Sequence, residues 1–89
     1  MSIQYEKESA LLKALGHPVR LKMVEGLLRQ QECNVDKMMK ALRLPQSTVS
    51  QHLALLKSRG IVQMRKEGVK TCYRVVDARV AEIMKIIAK

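Results

Sequence analysis

Hydrophobic positions recur at helical spacing through the first sixty or so residues and then switch to strand spacing after Gly60. Leu11, Leu12 and Leu15 give Ile3–Leu15 a modest helical period, and Gly16 with Pro18 beyond it marks the stop. Pro18 suits the first turn of a second helix, where its missing N–H costs nothing. Leu21, Met23, Val24, Leu27 and Leu28 make that helix broadly apolar. Gly26 inside it costs about 1 kcal/mol relative to Ala and leaves room for close packing against a neighbour. Asn34 is placed to N-cap a short third helix in which Val35, Met38, Met39 and Leu42 follow the i, i+3, i+4, i+7 template. Arg43-Leu44-Pro45 interrupts, and a fourth helix runs from about Gln46 to Arg59 with Val49, Leu53 and Leu56 inward. Two short helices joined by such a turn form a helix-turn-helix.

Beyond Gly60, Ile61–Lys66 and Val69–Val76 alternate as two strands, with Glu67-Gly68 expected as the hairpin turn. That pairing puts Val62, Met64, Thr71, Tyr73 and Val75 on one face and Lys70, Cys72 and Arg74 on the other, and a slip of one residue reverses it. Asp77 is a good N-cap for a last helix striped by Val80, Ile83, Met84 and Ile87. The order α-α-α-α-β-β-α, without repeat or linker, predicts one mostly α domain with a small β-hairpin.

Composition narrows this picture. At 89 residues the chain holds one small domain, and such a chain buries only about 60 to 65% of its unfolded surface, so a partner subunit is the expected supplement. Its 47% apolar content excludes a disordered basic tail. With six Met, two Tyr and no Trp or Phe, the core must be aliphatic and Met-rich. Two cysteines make no disulfide scaffold, Glu6, Lys7 and Glu8 interrupt any secretory signal, and no apolar run approaches the ~18 residues of a membrane span. A cytoplasmic protein with reduced thiols and no membrane association is expected.

Charge points to a partner. Seventeen Lys and Arg against eight Asp and Glu leave +9, and a polyanion is the first partner to consider. The charge is uneven: five basic and four acidic residues lie in Met1–Val35, twelve and four in Asp36–Lys89. No Asp or Glu occurs from Arg43 through Lys66, whereas an ordinary solvated helix face mixes both signs. Within that stretch the outward positions of the fourth helix are Gln46, Ser47, Thr48, Ser50 and Gln51. Short hydroxyl and amide side chains suit base edges in the major groove and phosphates. Arg65, Lys66 and Lys70 around the hairpin tip can lie along a nucleic-acid backbone or reach a minor groove; the bland alternative is an edge protected by lysine.

In three segments the sequence resembles the ArsR/SmtB family of winged-helix repressors: Leu15-Gly16-His17-Pro18-Val19-Arg20-Leu21; Leu44-Pro45-Gln46-Ser47-Thr48-Val49-Ser50-Gln51-His52-Leu53 with Leu55 to Val62; and Arg65-Lys66-Glu67-Gly68 with Tyr73. The likeness covers nearly the whole chain and is nearest to members without a metal box. It implies a winged helix-turn-helix and a homodimer built on the first and last helices through Leu11, Leu12, Leu15, Val80, Ile83, Met84 and Ile87. It further implies repression by binding double-stranded DNA at an imperfect palindrome. By motif position the base-contacting roles fall on Gln46, Ser47, Ser50 and Gln51, with Thr48 and His52 as helpers, His52 as a structural or phosphate contact.

The family's metal-sensing features are broken or missing. Against the cysteine box ELCVCDL the chain has Glu32-Cys33-Asn34-Val35-Asp36-Lys37-Met38, so Asn34 and Asp36 stand in the two thiolate slots. Of the zinc ligands that other members carry on the last helix, only Asp77 has a counterpart. No metal or cofactor is therefore expected, because one thiol and isolated carboxylates complete no tetrahedral shell. Some relatives sense oxidants through a cysteine pair, and the segment before the third helix can lie beside the second wing strand. Cys33 and Cys72 are thus a candidate redox pair, set against two unrelated thiols. His17 reads as a helix-start residue, and Ser47, Ser50 and His52 lack the orienting acid a catalytic set needs, so no enzyme is expected. An architectural DNA-binding protein without an inducer and a basic protein docking on acidic membranes are the competing readings; the second predicts bulky aromatics beside the charge, which the chain lacks.

Overall fold

A computed structural model describes residues 2–30 and 33–88. Five helices and three strands follow in the order α1 (Tyr5–Leu15), α2 (Pro18–Gln30), β1 (Cys33–Asn34), α3 (Val35–Leu42), α4 (Gln46–Ser58), β2 (Val62–Glu67), β3 (Lys70–Val75) and α5 (Ala78–Ile87). This is a winged helix-turn-helix. The core is aliphatic and thioether: Met23, Val24 and Leu27 of α2, Met38 of α3, and Val49, Leu53 and Leu56 of α4 meet Ile61 and Val62 at the root of the wing. Removing a large aliphatic side chain from such a site typically costs about 2 to 5 kcal/mol through lost transfer energy and the cavity left behind.

The helix ends are set by local chemistry. Asn34 caps α3, its side-chain oxygen accepting from the Lys37 N–H at 2.9 Å. Asp77 caps α5 in the same way, accepting from the Arg79 N–H at 2.8 Å. Burial pushes the Asp77 carboxyl up, but the hydrogen bonds and charge of Arg79 outweigh it and hold the group below its ordinary value. The Arg79 guanidinium also reaches Glu8 at 2.8 Å and so ties the start of α5 to α1.

The wing puts the expected residues on each face, but its strands pair two residues away from the register that a Glu67-Gly68 turn implies. Val62 pairs with Val75 and Met64 with Tyr73 on the face turned to the core, while Arg65 opposes Cys72 and Gln63 opposes Arg74 on the other. Two details differ from the sequence reading. The turn is Gly68-Val69 instead of Glu67-Gly68, because Glu67 still pairs with Lys70, and Gly68 at φ +61 fills the first turn position, where a II′ hairpin takes glycine. The two-residue strand β1 was not expected; it pairs antiparallel with β3 to complete a sheet of order β1-β3-β2.

The apolar stripes assigned to dimerisation divide in two. Leu11, Leu15, Val80 and Met84 lie in this chain's own core, and Ile83 packs partly against it. Leu12 at 56% and Ile87 at 57% exposure remain outside, joined by Ile86 at 67%, which the periodicity did not single out. Helical spacing marks a stripe as apolar without saying which surface covers it, and the small core takes the inward half of each stripe.

Arg43, which ends α3, adopts a left-handed conformation at φ 55, and its N–H donates to the Met39 carbonyl. A residue with a Cβ pays about 1 kcal/mol there relative to glycine. Arg43→Gly is expected to raise the unfolding free energy by about that amount, visible in urea denaturation as a higher midpoint with an unchanged slope.

Candidate nucleic-acid interface

The α4 helix is held by one face and leaves the other free. Val49, Leu53 and Leu56 are completely buried, so the positions between them are forced outward. Gln46, Ser47, Ser50 and Gln51 are all exposed, and their spacing puts them together on the outer face of the first turns. Thr48 is half-buried at the edge of that face. Pro45 precedes the helix without a side-chain cap, and the first turn holds no acidic residue. The opening N–H groups of a helix have no intrahelical acceptor, and together with the helix dipole they favour an anion such as a phosphate.

His52 sits one residue beyond this face and is tied inward. Its Nδ1 lies 3.3 Å from Nη1 of Arg20, while Nε of Arg20 donates to the Ala14 carbonyl at 2.6 Å and Nη2 to the Lys13 carbonyl at 3.4 Å. Arginine has donors only, so His52 accepts through Nδ1 and is neutral with its proton on Nε2. One guanidinium thereby satisfies carbonyls at the end of α1 and fastens α4 to them. His17 completes the junction: its Nδ1 accepts from the Val19 N–H at 3.1 Å at the start of α2, and its ring stands 4.8 Å from that of His52. Of the two helper roles expected for His52, this geometry is the structural one. Arg20 was not singled out as an interface-positioning residue; the signal was present in the His17-Pro18-Val19-Arg20 string, but its partner lies 32 residues away.

Arg65, Lys66 and Lys70 are exposed on the wing but do not share one face. Lys66 pairs with Thr71 on the face that carries Met64 and Tyr73, whereas Arg65 and Lys70 lie on the opposite face with Arg74. Glu67 forms an ion pair with Arg65 and opposes Lys70 across the ladder, so the wing's charge is partly balanced at its tip. Arg43, Lys57 and Arg59 add exposed positive charge on and beside the helix-turn-helix.

The segment before α3 does lie beside the second wing strand, but the backbone pairing sets Cys33 opposite Tyr73 and Asn34 opposite Cys72. The two cysteine positions are therefore offset by one step of the ladder. Cys72 is a half-buried free thiol. In the broken cysteine box, Glu32 lies outside the described residues. Among the described residues no three His, Cys, Asp or Glu side chains gather as a metal site, and no helix is long and apolar enough to cross a membrane.

A winged helix-turn-helix whose second motif helix turns a hydrogen-bonding, carboxylate-free face outward belongs to the class of DNA-binding transcriptional regulators. The chain is a member of the arsR family of bacterial regulatory proteins, whose profile matches residues 17–64. It is 43% identical over 84 residues to an HTH-type transcriptional regulator of Methanocaldococcus jannaschii, covering 94% of each chain. It is 35% identical to the transcriptional repressor PagR of Bacillus anthracis over 92% of this chain and 82% of PagR. The crystal structure of PagR superposes with a TM-score of 0.84, covering 93% of this chain and 94% of that one. The solution structure of a homodimeric winged helix-turn-helix DNA-binding domain from Mycobacterium bovis, 31% identical, also superposes at 0.84, over 94% of this chain and 77% of that one. The family and these relatives are regulators, not enzymes.

Burial holds the His52 ring below its ordinary pKa of 6.5, with the neighbouring His17 and Arg20 adding to the effect. A His whose folded pKa is depressed favours the fold while neutral, so its contribution is complete above about 6.5 and is lost as pH falls through the lower folded value. Stability in urea is expected to decline on acidification from pH 7.5 towards 5.5. His52→Gln, which keeps an acceptor for Arg20 without a titrating group, is expected to flatten that decline.

Proposed function

We propose that the chain is a homodimeric, sequence-specific, cytoplasmic repressor that reads an imperfect palindrome in double-stranded DNA and acts by occluding a promoter. The observation that carries this reading is the outer face of α4. Gln46, Ser47, Ser50 and Gln51 converge on a surface without a carboxylate, beside an uncapped helix start and a basic wing. In this reading α4 enters the major groove, where Gln pairs with adenine N6/N7 and the hydroxyls take either donor or acceptor roles. Thr48 buttresses the helix start and His52 sets its angle through Arg20. The wing runs along the backbone, with Lys66 and Lys70 the side chains most available to phosphate.

Support for dimerisation comes from exposed apolar side chains on the two terminal helices, Tyr5 and Leu12 on α1 and Ile86 and Ile87 on α5, and from the homodimeric Mycobacterium bovis relative. Two reading helices related by a dyad then stand about 34 to 36 Å apart, one turn of DNA. The near balance of charge in the first 35 residues lets α1 approach its twin with little repulsion.

Titration against a palindrome selected from random-sequence DNA, with scrambled DNA as control, tests the reading head. Gln46→Ala and Ser50→Ala are each expected to lose about 1 to 3 kcal/mol on the selected site and little on the control. Lys66→Ala is expected to weaken both and to reduce the log–log salt slope by about 0.9. Equal losses on the two DNAs for the α4 variants would refute the assignment.

The interface has its own test. Sedimentation equilibrium is expected to give a dimer for the natural chain and a monomer for the double variant Leu12→Glu, Ile86→Glu, whereas Val69→Glu at the fully exposed wing tip leaves the dimer intact.

A further inference from the structure

Between α2 and α3, on elements that carry none of the base-reading side chains, lies an open cavity of about 440 Å³, within the ~300 to 1,000 Å³ range of small-ligand pockets. Its inner wall is apolar, made by the buried side chains of Met23, Leu27 and Met38 with Leu42 at one end. Thioethers adapt their rotamers to irregular apolar guests. Lys22, Lys37 and Lys40, all exposed, also line it, and among the described residues no carboxylate does. Among the described residues none of these three lysines forms an ion pair.

Gly26 connects the two features. A glycine in the middle of a helix costs about 1 kcal/mol relative to Ala, and close approach of a neighbour is one use for the room it leaves. Among the described residues there is no such neighbour: a Cβ built on Gly26 meets nothing within 4 Å. What the missing side chain leaves is the cavity, on whose wall Gly26 lies. Packing therefore gives no account of this glycine, whereas an occupant does.

We propose that the α2–α3 cavity binds a small amphipathic organic anion, a carboxylate on a short apolar body, with the body over Gly26 between Met23 and Met38 and the carboxylate among Lys22, Lys37 and Lys40. Three ammonium groups without an ion pair among the described residues line an apolar cleft, and a carboxylate offsets their mutual repulsion while its apolar body replaces water against the thioethers. Neutral and cationic amphiphiles gain only the second term. Because the cavity straddles the seam on which α3 is seated, occupancy alters how the helix-turn-helix rests on the core. If the chain acts as the proposed repressor, the bound anion would serve as its effector.

The test uses the full chain with 13C-labelled methionine methyls and decanoate as the probe, without DNA, so that it stands or falls apart from the repressor reading. Saturable shifts are expected at the Met23 and Met38 methyls and not at Met64 on the wing. Decylamine of the same length is expected to bind at least about tenfold more weakly, and Lys22→Gln or Lys40→Gln to weaken decanoate about two- to fivefold each, in the range of a solvated charge contact. Gly26→Leu fills the cavity and is expected to abolish the shifts while the thermal midpoint holds or rises. If Met23 and Met38 stay still, if decylamine matches decanoate, or if folded Gly26→Leu binds as the natural chain does, the proposal is wrong. Should Gly26→Leu fail to fold, Lys40→Glu decides the matter, since it leaves the apolar wall intact and must still lower decanoate affinity.

Discussion

The rest of the molecule is organised around the complete burial of Val49, Leu53 and Leu56. A helix fastened along one stripe has its rotation about its own axis set, and that rotation decides which residues face outward. With these three side chains inward, Gln46, Ser47, Ser50 and Gln51 are presented together. The other elements supply the surface that grips the stripe: α2 and α3 from one side, and Ile61 and Val62 at the root of the wing from the other. Loss of contact along this stripe would cost stability and would also free the helix to rotate, so stability and reading are set by the same side chains.

Packing fixes rotation, and a polar junction fixes tilt. Arg20 spans from the last carbonyls of α1 to Nδ1 of His52 on α4, so the helix with the exposed hydrogen-bonding face is tied directly to α1. The Arg79–Glu8 pair performs a similar service between α5 and α1. Such exposed or half-exposed contacts add little energy individually, but they join elements remote in sequence and so set how the helices sit against one another. Leu12 and Ile86 stay exposed because the chain's own core is filled by other aliphatic and thioether side chains.

Several parts of this arrangement were legible in the order of residues, because they depend on near neighbours. Asn34 and Asp77 as helix caps, Pro18 at a helix start and the division of the wing's residues from Val62 to Val75 between two faces follow from spacing and local hydrogen-bonding chemistry. The face of α4 was legible for the same reason: a helical period with no acidic residue across it reads as an outward polar surface whatever packs beneath. Where the reading was off, a longer-range contact decided. Two residues are too few to show alternation, so β1 was visible only through its pairing with β3. The hairpin turn moved by one residue because the Glu67–Lys70 pair closes the ladder.

Periodicity alone thus establishes five helices, a hairpin and a basic half bearing a hydrogen-bonding helix face, since each follows from contacts within a few residues along the chain. Tertiary packing alone divides the terminal stripes into core and exposed halves, offsets Cys33 from Cys72 by one step, splits the wing's basic side chains between two faces, and leaves open space over Gly26. Each of these depends on which distant segment arrives against a given face, and a one-dimensional pattern carries the preference of a residue to be buried without naming the surface that buries it.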